Sequence, residues 1–443
     1  MNSYYLLNLR ISGIKNIEKQ IEIPFYKKTI KNDFDPKQYR VKGIYGENGS
    51  GKTAIMTAVK ILTRLILDRN YLGDSVNQRE LAENINKKTG RASIEAEFYA
   101  MRDMGPFIYH YRVDLAVKED KRVYLTNELL ERKIGHNSQG QYNPVFRTEN
   151  GELRCFGKND PELFSFCKDR TQNLLEQRSL ATFLNDIEAA GFPDEFMAAW
   201  HIFSLAAFTA EIYVWIDGED DHRKEAFEQL AKENGKVVLR EAADLSLLSW
   251  ASTYDRDSRE VMISRASLPR YQKEVRRLEN FIRIFKTDLQ GIRIDTKEYG
   301  EFFLCRLVMV YTGYELDEEY ESRGIRKLMK LFDVLDAACR GAIVFIDELD
   351  SNINDIYLDK LIEYFVYYGE GQLCFTAHNL SPMAVLRNSK CAISFLSSVN
   401  TVRTWTSNGN QNPEHAYRDG FIEDSPFNVD SSDFLGILGG TDE

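Results

Sequence analysis

The sequence predicts an α/β protein with a mixed sheet, an antiparallel β-subdomain and a mainly helical middle region that interrupts the sheet. Near the N-terminus, a short apolar strand, a glycine-rich loop and an amphipathic helix follow one another. Strand-like alternation fills the segment after them, and buried strands alternate with helices in the last third. Because such alternation indicates a parallel sheet, we expect the two ends of the chain to build one sheet.

Local patterns define the individual elements. Apolar alternation or short apolar runs predict strands around residues 7–11, 21–23, 41–45, 342–346, 372–376 and 391–396, and an antiparallel meander over 92–124. Helical spacing predicts helices from Thr53 onward and at 268–289, 322–339 and 357–368. Turn-forming residues predict a loop with one hairpin over 134–157. The predicted units are an N-terminal lobe (1–133), a loop plus helical insert (134–290) and a C-terminal lobe (291–443).

Composition bounds the class of protein. The formal net charge is −11, from 57 Lys and Arg against 68 Asp and Glu, so any DNA contact would have to be local. No apolar run approaches the roughly 18 residues of a membrane span, and the start MNSYYLLNLR lacks a secretory pattern. The six cysteines are scattered without a C-x-x-C pair, which favours reduced thiols over zinc. We expect a soluble, cytoplasmic protein.

The segment GENGSGKT matches the phosphate-loop pattern G-x-x-x-x-G-K-[ST] and lies between a predicted strand and a predicted helix. Its expected phosphate-binding residues are Gly46, Asn48, Gly49, Ser50, Gly51, Lys52 and Thr53. Lys52 would reach the β and γ oxygens and act in catalysis, and the Thr53 hydroxyl would ligate Mg²⁺. The alternative, a chance glycine-rich turn, is disfavoured because the full pattern fits and lies in the strand–loop–helix context that it requires.

Two carboxylates follow the apolar strand at 342–346, at the edge where open α/β sheets bind ligands. Asp347 is expected to hold magnesium, directly or through water, and Glu348 to act as the general base for water that attacks the γ-phosphate. His378 follows the strand at 372–376 and would lie at the same edge as a γ-phosphate sensor. A lone histidine at a strand end is more often structural, but its position in the chain after the acidic strand favours the sensing role.

Two further segments have a structural and a functional interpretation. Ser322 precedes a predicted helix, where a helix cap is the simpler account and phosphate binding by exposed N–H groups is the alternative. Residues 268–289 predict a basic amphipathic helix. A solvated face packed on the core is favoured over nucleic-acid contact, because charge runs are usually solvated.

Taken in order, the phosphate loop, S-x-G helix, D-E strand and strand-end histidine resemble the ABC-type ATPase head of the SMC, RecF and OLD group. More narrowly, they resemble the compact AAA-15/AAA-21 ATPases of bacterial anti-phage defence. The resemblance lies in the segments LNLRISGIKNI, GIYGENGSGKTAIMTAVKIL and ESRGIRKLMKLF…GAIVFIDELDSNIND…QLCFTAHN. Glu321 and Arg323 depart from the group's L-S-G-G-Q signature.

The resemblance implies an ATPase that binds ATP and Mg²⁺ and works as a homo-oligomer, at least a dimer through its ATP sites. Ser322 and Gly324 of one subunit would contact the γ-phosphate held by Lys52 of another, and Asp350 would lie in the interfacial D-loop. The segment between Thr53 and Ser322 is too short for long coiled-coil arms, and too few residues follow His378 for an appended nuclease domain.

The resemblance therefore implies control of a separate effector, a nuclease or toxin, in phage defence. Two alternatives remain at this point. One is a nucleotide-gated scaffold with negligible turnover, motivated by Arg323 in the signature. The other is a RecF-like DNA-repair ATPase that uses the basic helix, so DNA binding is left open, whereas no membrane partner is expected.

Overall fold

A computed structural model gives the fold of the chain. It describes residues 3–27, 34–102, 105–135, 140–156, 161–171, 174–183, 197–216, 261–300, 302–406, 411–422 and 425. Residues 217–260 of the predicted insert and residues 426–443 lie outside these ranges. No helix within the described ranges is long and apolar enough to cross a membrane.

Strands and helices are numbered here in chain order. The strands are β1 (Ser3–Ser12), β2 (Ile21–Pro24), β3 (Val41–Tyr45), β4 (Arg91–Arg102), β5 (Gly105–Val117), β6 (Val123–Ile134), β7 (Asn143–Glu149), β8 (Glu152–Phe156), β9 (Ile212–Trp215), β10 (Val261–Ser264), β11 (Leu289–Tyr299), β12 (Phe302–Tyr311), β13 (Tyr314–Asp317), β14 (Ile343–Ile346), β15 (Gln372–Thr376), β16 (Ile393–Leu396) and β17 (Val402–Thr404). The α-helices are α1 (Lys52–Leu67), α2 (Ser75–Asn84), α3 (Pro161–Thr171), α4 (Met197–Ala210), α5 (Leu268–Phe285), α6 (Arg323–Cys339), α7 (Asp355–Tyr368), α8 (Pro382–Leu386) and α9 (Pro413–Arg418).

The core sheet joins the two ends of the chain, as the sequence predicts. Its strand order is β17-β16-β3-β15-β14-β9, and only the β16–β17 pair is antiparallel. Every residue of β3, β14 and β15 is buried, as expected for parallel strands with both faces covered. The carboxyl ends of these three strands therefore share one edge of the sheet.

An antiparallel sheet of order β2-β1-β4-β5-β6-β7-β8 lies beside the core sheet. The predicted meander corresponds to β4, β5 and β6, and the predicted hairpin to β7 and β8. The hairpin continues the same sheet, so the antiparallel subdomain extends past the predicted boundary at residue 133. A buried glutamine joins this sheet to the core: the Gln372 amide accepts from Leu6 N (2.7 Å) and donates to Leu6 O (3.0 Å).

The middle of the chain contains more strand than the sequence predicts. In its described part, β7 to β10 accompany helices α3, α4 and α5, and β9 is an edge strand of the core sheet. A third sheet, β10-β12-β11 with β13 against β12, follows in the C-terminal part. Strand β9 has only four residues, IYVW, and an apolar run of that length cannot be told from a buried helix segment by periodicity.

The basic helix is confirmed as α5, and it ends at Phe285 because Leu289 already begins β11. Its buried apolar side chains belong to the same hydrophobic core cluster as those of α6. Arg277 pairs with Glu274 and with Asp336 of α6, whereas Lys273 and Arg276 are exposed. These ion pairs favour a solvated helix face that braces α6.

Strand β3 carries a buried cation. The Lys42 side chain is 2% exposed, and its ammonium donates to the carbonyl oxygens of Pro24 (2.9 Å) and Cys391 (2.7 Å). Burial lowers the pKa of Lys42 from 10.5 to about 8. Keeping this lysine charged therefore costs folding free energy at neutral pH.

We predict that Lys42 makes the protein gain stability as pH rises from 8 toward 10.5, because there the unfolded chain binds the proton and the native chain does not. Urea unfolding of wild type and Lys42→Met should show the difference moving in favour of wild type by about 2 kcal/mol between pH 7 and 9.5. Lys87→Met, on an exposed side chain, is the control. Parallel pH curves for wild type and Lys42→Met would contradict the prediction.

Candidate nucleotide site

The glycine-rich loop leads from the end of β3 into α1 and turns at two glycines with left-handed backbone conformations. Gly49 and Gly51 have φ of +78° and +111°, which side-chain-bearing residues rarely adopt. A Cβ on Gly46 would lie 2.2 Å from Leu396 O, so only glycine fits there. Gly51 caps α1 without a side-chain hydrogen bond, which leaves the first N–H groups of the helix available to a phosphate.

Lys52 lies inside this loop with its ammonium turned onto the loop's own carbonyls. Its Nζ donates to Gly46 O (2.7 Å) and Glu47 O (2.9 Å), and the residue is 6% exposed. Burial lowers the pKa of Lys52, and the charges of Asp347 and Glu348 oppose this shift. The neighbouring Ser50 Oγ is buried without a hydrogen-bond partner among the described residues. A phosphate would supply partners for both side chains.

One support of the loop was not predicted from the sequence. The Asn16 amide, on the turn after β1, donates to Gly49 O, and a Cβ on Gly51 would lie 3.0 Å from Ile17 Cγ1. Asn400, near β17, holds the same turn by accepting from Glu18 N at 2.8 Å. Asn16 and Ile17 lie in the first segment that carries the family resemblance, which was the available signal.

The two predicted carboxylates lie where the sequence places them, and a buried threonine orders both. Thr376 Oγ1, fully buried at the end of β15, donates to Asp347 Oδ1 (2.6 Å) and accepts from Glu348 N (2.7 Å). Asp347 is 5% exposed, whereas the Glu348 side chain is 48% exposed. Glu348 has φ of +47°, an unusual conformation for a residue with a side chain.

His378 shares this edge with the general-base candidate, as predicted. Its Nε2 lies 3.9 Å from Glu348 Oε1. Asp350 orders the histidine loop, because its Oδ2 accepts from His378 N (2.9 Å) and Asn379 N (2.7 Å). The place of Asp350 in an interfacial D-loop stays a prediction, while its carboxylate has this positioning role within the chain.

Ser322 is confirmed as the N-cap of α6, since its Oγ accepts from Ile325 N at 3.4 Å. Ser322 and Arg323 are exposed, so the start of this helix is open to a ligand or partner. Gly324 packs on the loop after β14, where an added Cβ would lie 2.4 Å from Asn352 O. The contacts of Ser322 and Gly324 with a second subunit's nucleotide stay predictions.

The donor set fits Mg²⁺ held together with phosphates. The described residues contain no group of three or more His, Cys, Asp or Glu side chains that could hold a metal by themselves. One buried carboxylate, Asp347, lies at the same sheet edge as the loop that leads into Thr53. Magnesium in nucleotide sites typically takes one or two carboxylates and completes its octahedron with phosphate and water.

No family model matches the chain, and no curated protein matches it. Among solved structures, the chain is similar to the recombination mediator protein RecF-ATPrS of the RecFOR pathway. The TM-score is 0.36 at 12% sequence identity, over 91% of this chain and 99% of that chain.

We predict that Thr376→Val destabilises the fold by about 1–3 kcal/mol, because it leaves the Asp347 carboxylate and the Glu348 N–H without their shared hydroxyl. Urea unfolding measures the loss. Thr63→Val is the matched control, since that buried hydroxyl donates to Lys60 O within α1. Equal losses in the two variants would argue against a special role for Thr376.

Proposed function

We propose that this protein is a Mg²⁺-dependent ATPase of the ABC type. One observation carries the proposal: the phosphate loop with Lys52, the buried Asp347, and the pair Glu348 and His378 converge on one edge of the core sheet. Phosphoryl transfer to water requires a loop that binds phosphate, a carboxylate that holds magnesium and a carboxylate that activates water. The loop, Asp347 and the half-exposed Glu348 would take these three roles.

In the proposed reaction, Lys52 exchanges its loop carbonyls for the β and γ oxygens of ATP. Asp347 and Thr53 would hold Mg²⁺, which neutralises charge on the phosphates when bound. Glu348 takes a proton from water as the water oxygen bonds to the γ phosphorus, and the bond from that phosphorus to the β–γ bridging oxygen breaks to release ADP. His378 donates a hydrogen bond to the transferred group.

We propose that two copies of the chain complete each site, with Ser322 and Gly324 of one facing the nucleotide of the other. The exposed start of α6 supports this arrangement. Tyr320, two positions before Ser322, is a large side chain at 70% exposure that a second copy would cover.

We propose further that nucleotide-driven assembly controls a separate effector, a nuclease or toxin, in anti-phage defence. The support is the resemblance of the quoted motifs to compact defence ATPases. The RecF-like alternative relies on the basic helix, but ion pairs engage Arg277, Arg283 and Lys286 of that region. That leaves fewer cations for phosphate contacts.

We predict that Glu348→Gln binds ATP with Mg²⁺, accumulates a species of larger mass and loses at least about 100-fold in turnover. Lys52→Ala should lose ATP binding instead, because the phosphates lose their buried cation. Phosphate release, equilibrium nucleotide binding and mass in solution measure the three properties. Glu363→Gln, on an exposed helix position paired with Lys360, is the control.

The outcomes separate the proposed ATPase from the scaffold alternative. A wild-type chain that binds ATP and assembles but shows no turnover would favour a nucleotide-gated scaffold. If wild type and Glu348→Gln hydrolyse ATP at the same rate, Glu348 is not the general base.

We predict that Lys52→Ala in an intact locus raises phage plating to the level of cells that lack the locus. The reason is that the effector would lose its nucleotide-dependent control. Plaque counts on cells with wild type, Lys52→Ala and the exposed-lysine control Lys88→Ala measure the effect. Unchanged plating for Lys52→Ala would contradict the defence proposal and leave the ATPase proposal standing.

A further inference from the structure

A buried lysine on α6 donates hydrogen bonds to the loop that carries Glu348, the general-base candidate. Lys327 Nζ donates to Glu348 O (2.5 Å), Ser351 O (3.0 Å) and Ser351 Oγ (2.5 Å), with Leu349 O at 3.3 Å. The residue is 5% exposed, and its ammonium lies 5.2 Å from the centre of the Trp215 ring. One side chain thus engages four oxygens of residues 348–351.

These bonds bear on the strained residue of the site. Glu348 adopts φ of +47°, which a non-glycine residue keeps only when its surroundings fix it from several sides. Thr376 holds the N–H of Glu348, and Lys327 holds its carbonyl oxygen. The peptide groups on both sides of the Glu348 Cα are therefore held by side chains from two different elements.

The same lysine belongs to the helix that begins at the signature. Lys327 lies five positions after Ser322, and Gly324 between them packs against Asn352 O, so the first turns of α6 and the loop after β14 form one contact unit. An ammonium with three donors suits a cage of carbonyl and hydroxyl oxygens. An apolar side chain of similar length would leave those oxygens without their donor.

We propose that Lys327 is a positioning residue that fixes Glu348 for proton abstraction and couples it to the start of α6. When Ser322 contacts nucleotide, α6 and Lys327 would then affect the position of Glu348, the general base of the same chain. This inference rests on the proposed ATPase function and adds a residue outside the predicted catalytic and nucleotide-binding set.

The test compares Lys327→Met with wild type and with Lys330→Met, a control on an exposed position of the same helix. We expect Lys327→Met to bind Mg-ATP within about 3-fold of wild type while kcat falls about 10–100-fold, because small misplacements of a catalytic group have effects of that size. Lys330→Met should change neither. Ser351→Ala, which removes one of the acceptors, should give a smaller loss in kcat.

A double-variant cycle separates positioning from general support of the fold. If Lys327 acts through Glu348, adding Lys327→Met to Glu348→Gln leaves the single-turnover rate of Glu348→Gln unchanged. A further fall in the double variant, or full kcat in Lys327→Met, would overturn the inference. If Lys327→Met does not fold, full kcat in Ser351→Ala would overturn it. No turnover by wild type would instead overturn the ATPase proposal, and the inference with it.

Discussion

The parallel pairing of β15 with β3 on one side and β14 on the other is the constraint on which the site depends. The register aligns Phe375 with both Gly43 and Ile346. The phosphate loop and the two carboxylates therefore leave the sheet at the same edge, with the end of β15 between them. Residues separated by almost three hundred positions in the chain meet because three short strands are buried on both faces.

Both ends of β15 carry a polar side chain that is buried and hydrogen-bonded. At the carboxyl end, the Thr376 hydroxyl forms hydrogen bonds with Asp347 and Glu348. At the other end, the Gln372 amide forms hydrogen bonds with the N–H and the carbonyl of Leu6. Buried polar groups of this kind are costly unless they are paired, so they specify one arrangement of their neighbours. One strand thus sets the geometry of the site and the attachment of the antiparallel sheet.

The sequence predicts well those features that depend on local pattern. Strands β3 and β15 are confirmed at their predicted bounds, and Asp347, Glu348 and His378 share an edge as expected. It does not reveal β9, whose place in the sheet depends on parallel pairing with β14. Nor does it reveal Thr376 or Lys327, because neither belongs to a motif with fixed spacing and each acts through contacts made only in the folded chain.

The departures from the common signature have a physical account at Glu321. This residue replaces an apolar one, yet it is 7% exposed, and its carboxylate accepts from the Tyr311 hydroxyl and from Ser322 N. Burial and the nearby carboxylate raise the pKa of Tyr311, so the hydroxyl keeps its proton and stays a donor. Glu321 therefore turns inward and leaves the start of α6 open. The side chain that alters the exposed face of the signature is Arg323, which adds a cation where the common pattern has glycine. A cation beside Ser322 adds positive charge where the N-terminal end of the helix macrodipole is already positive.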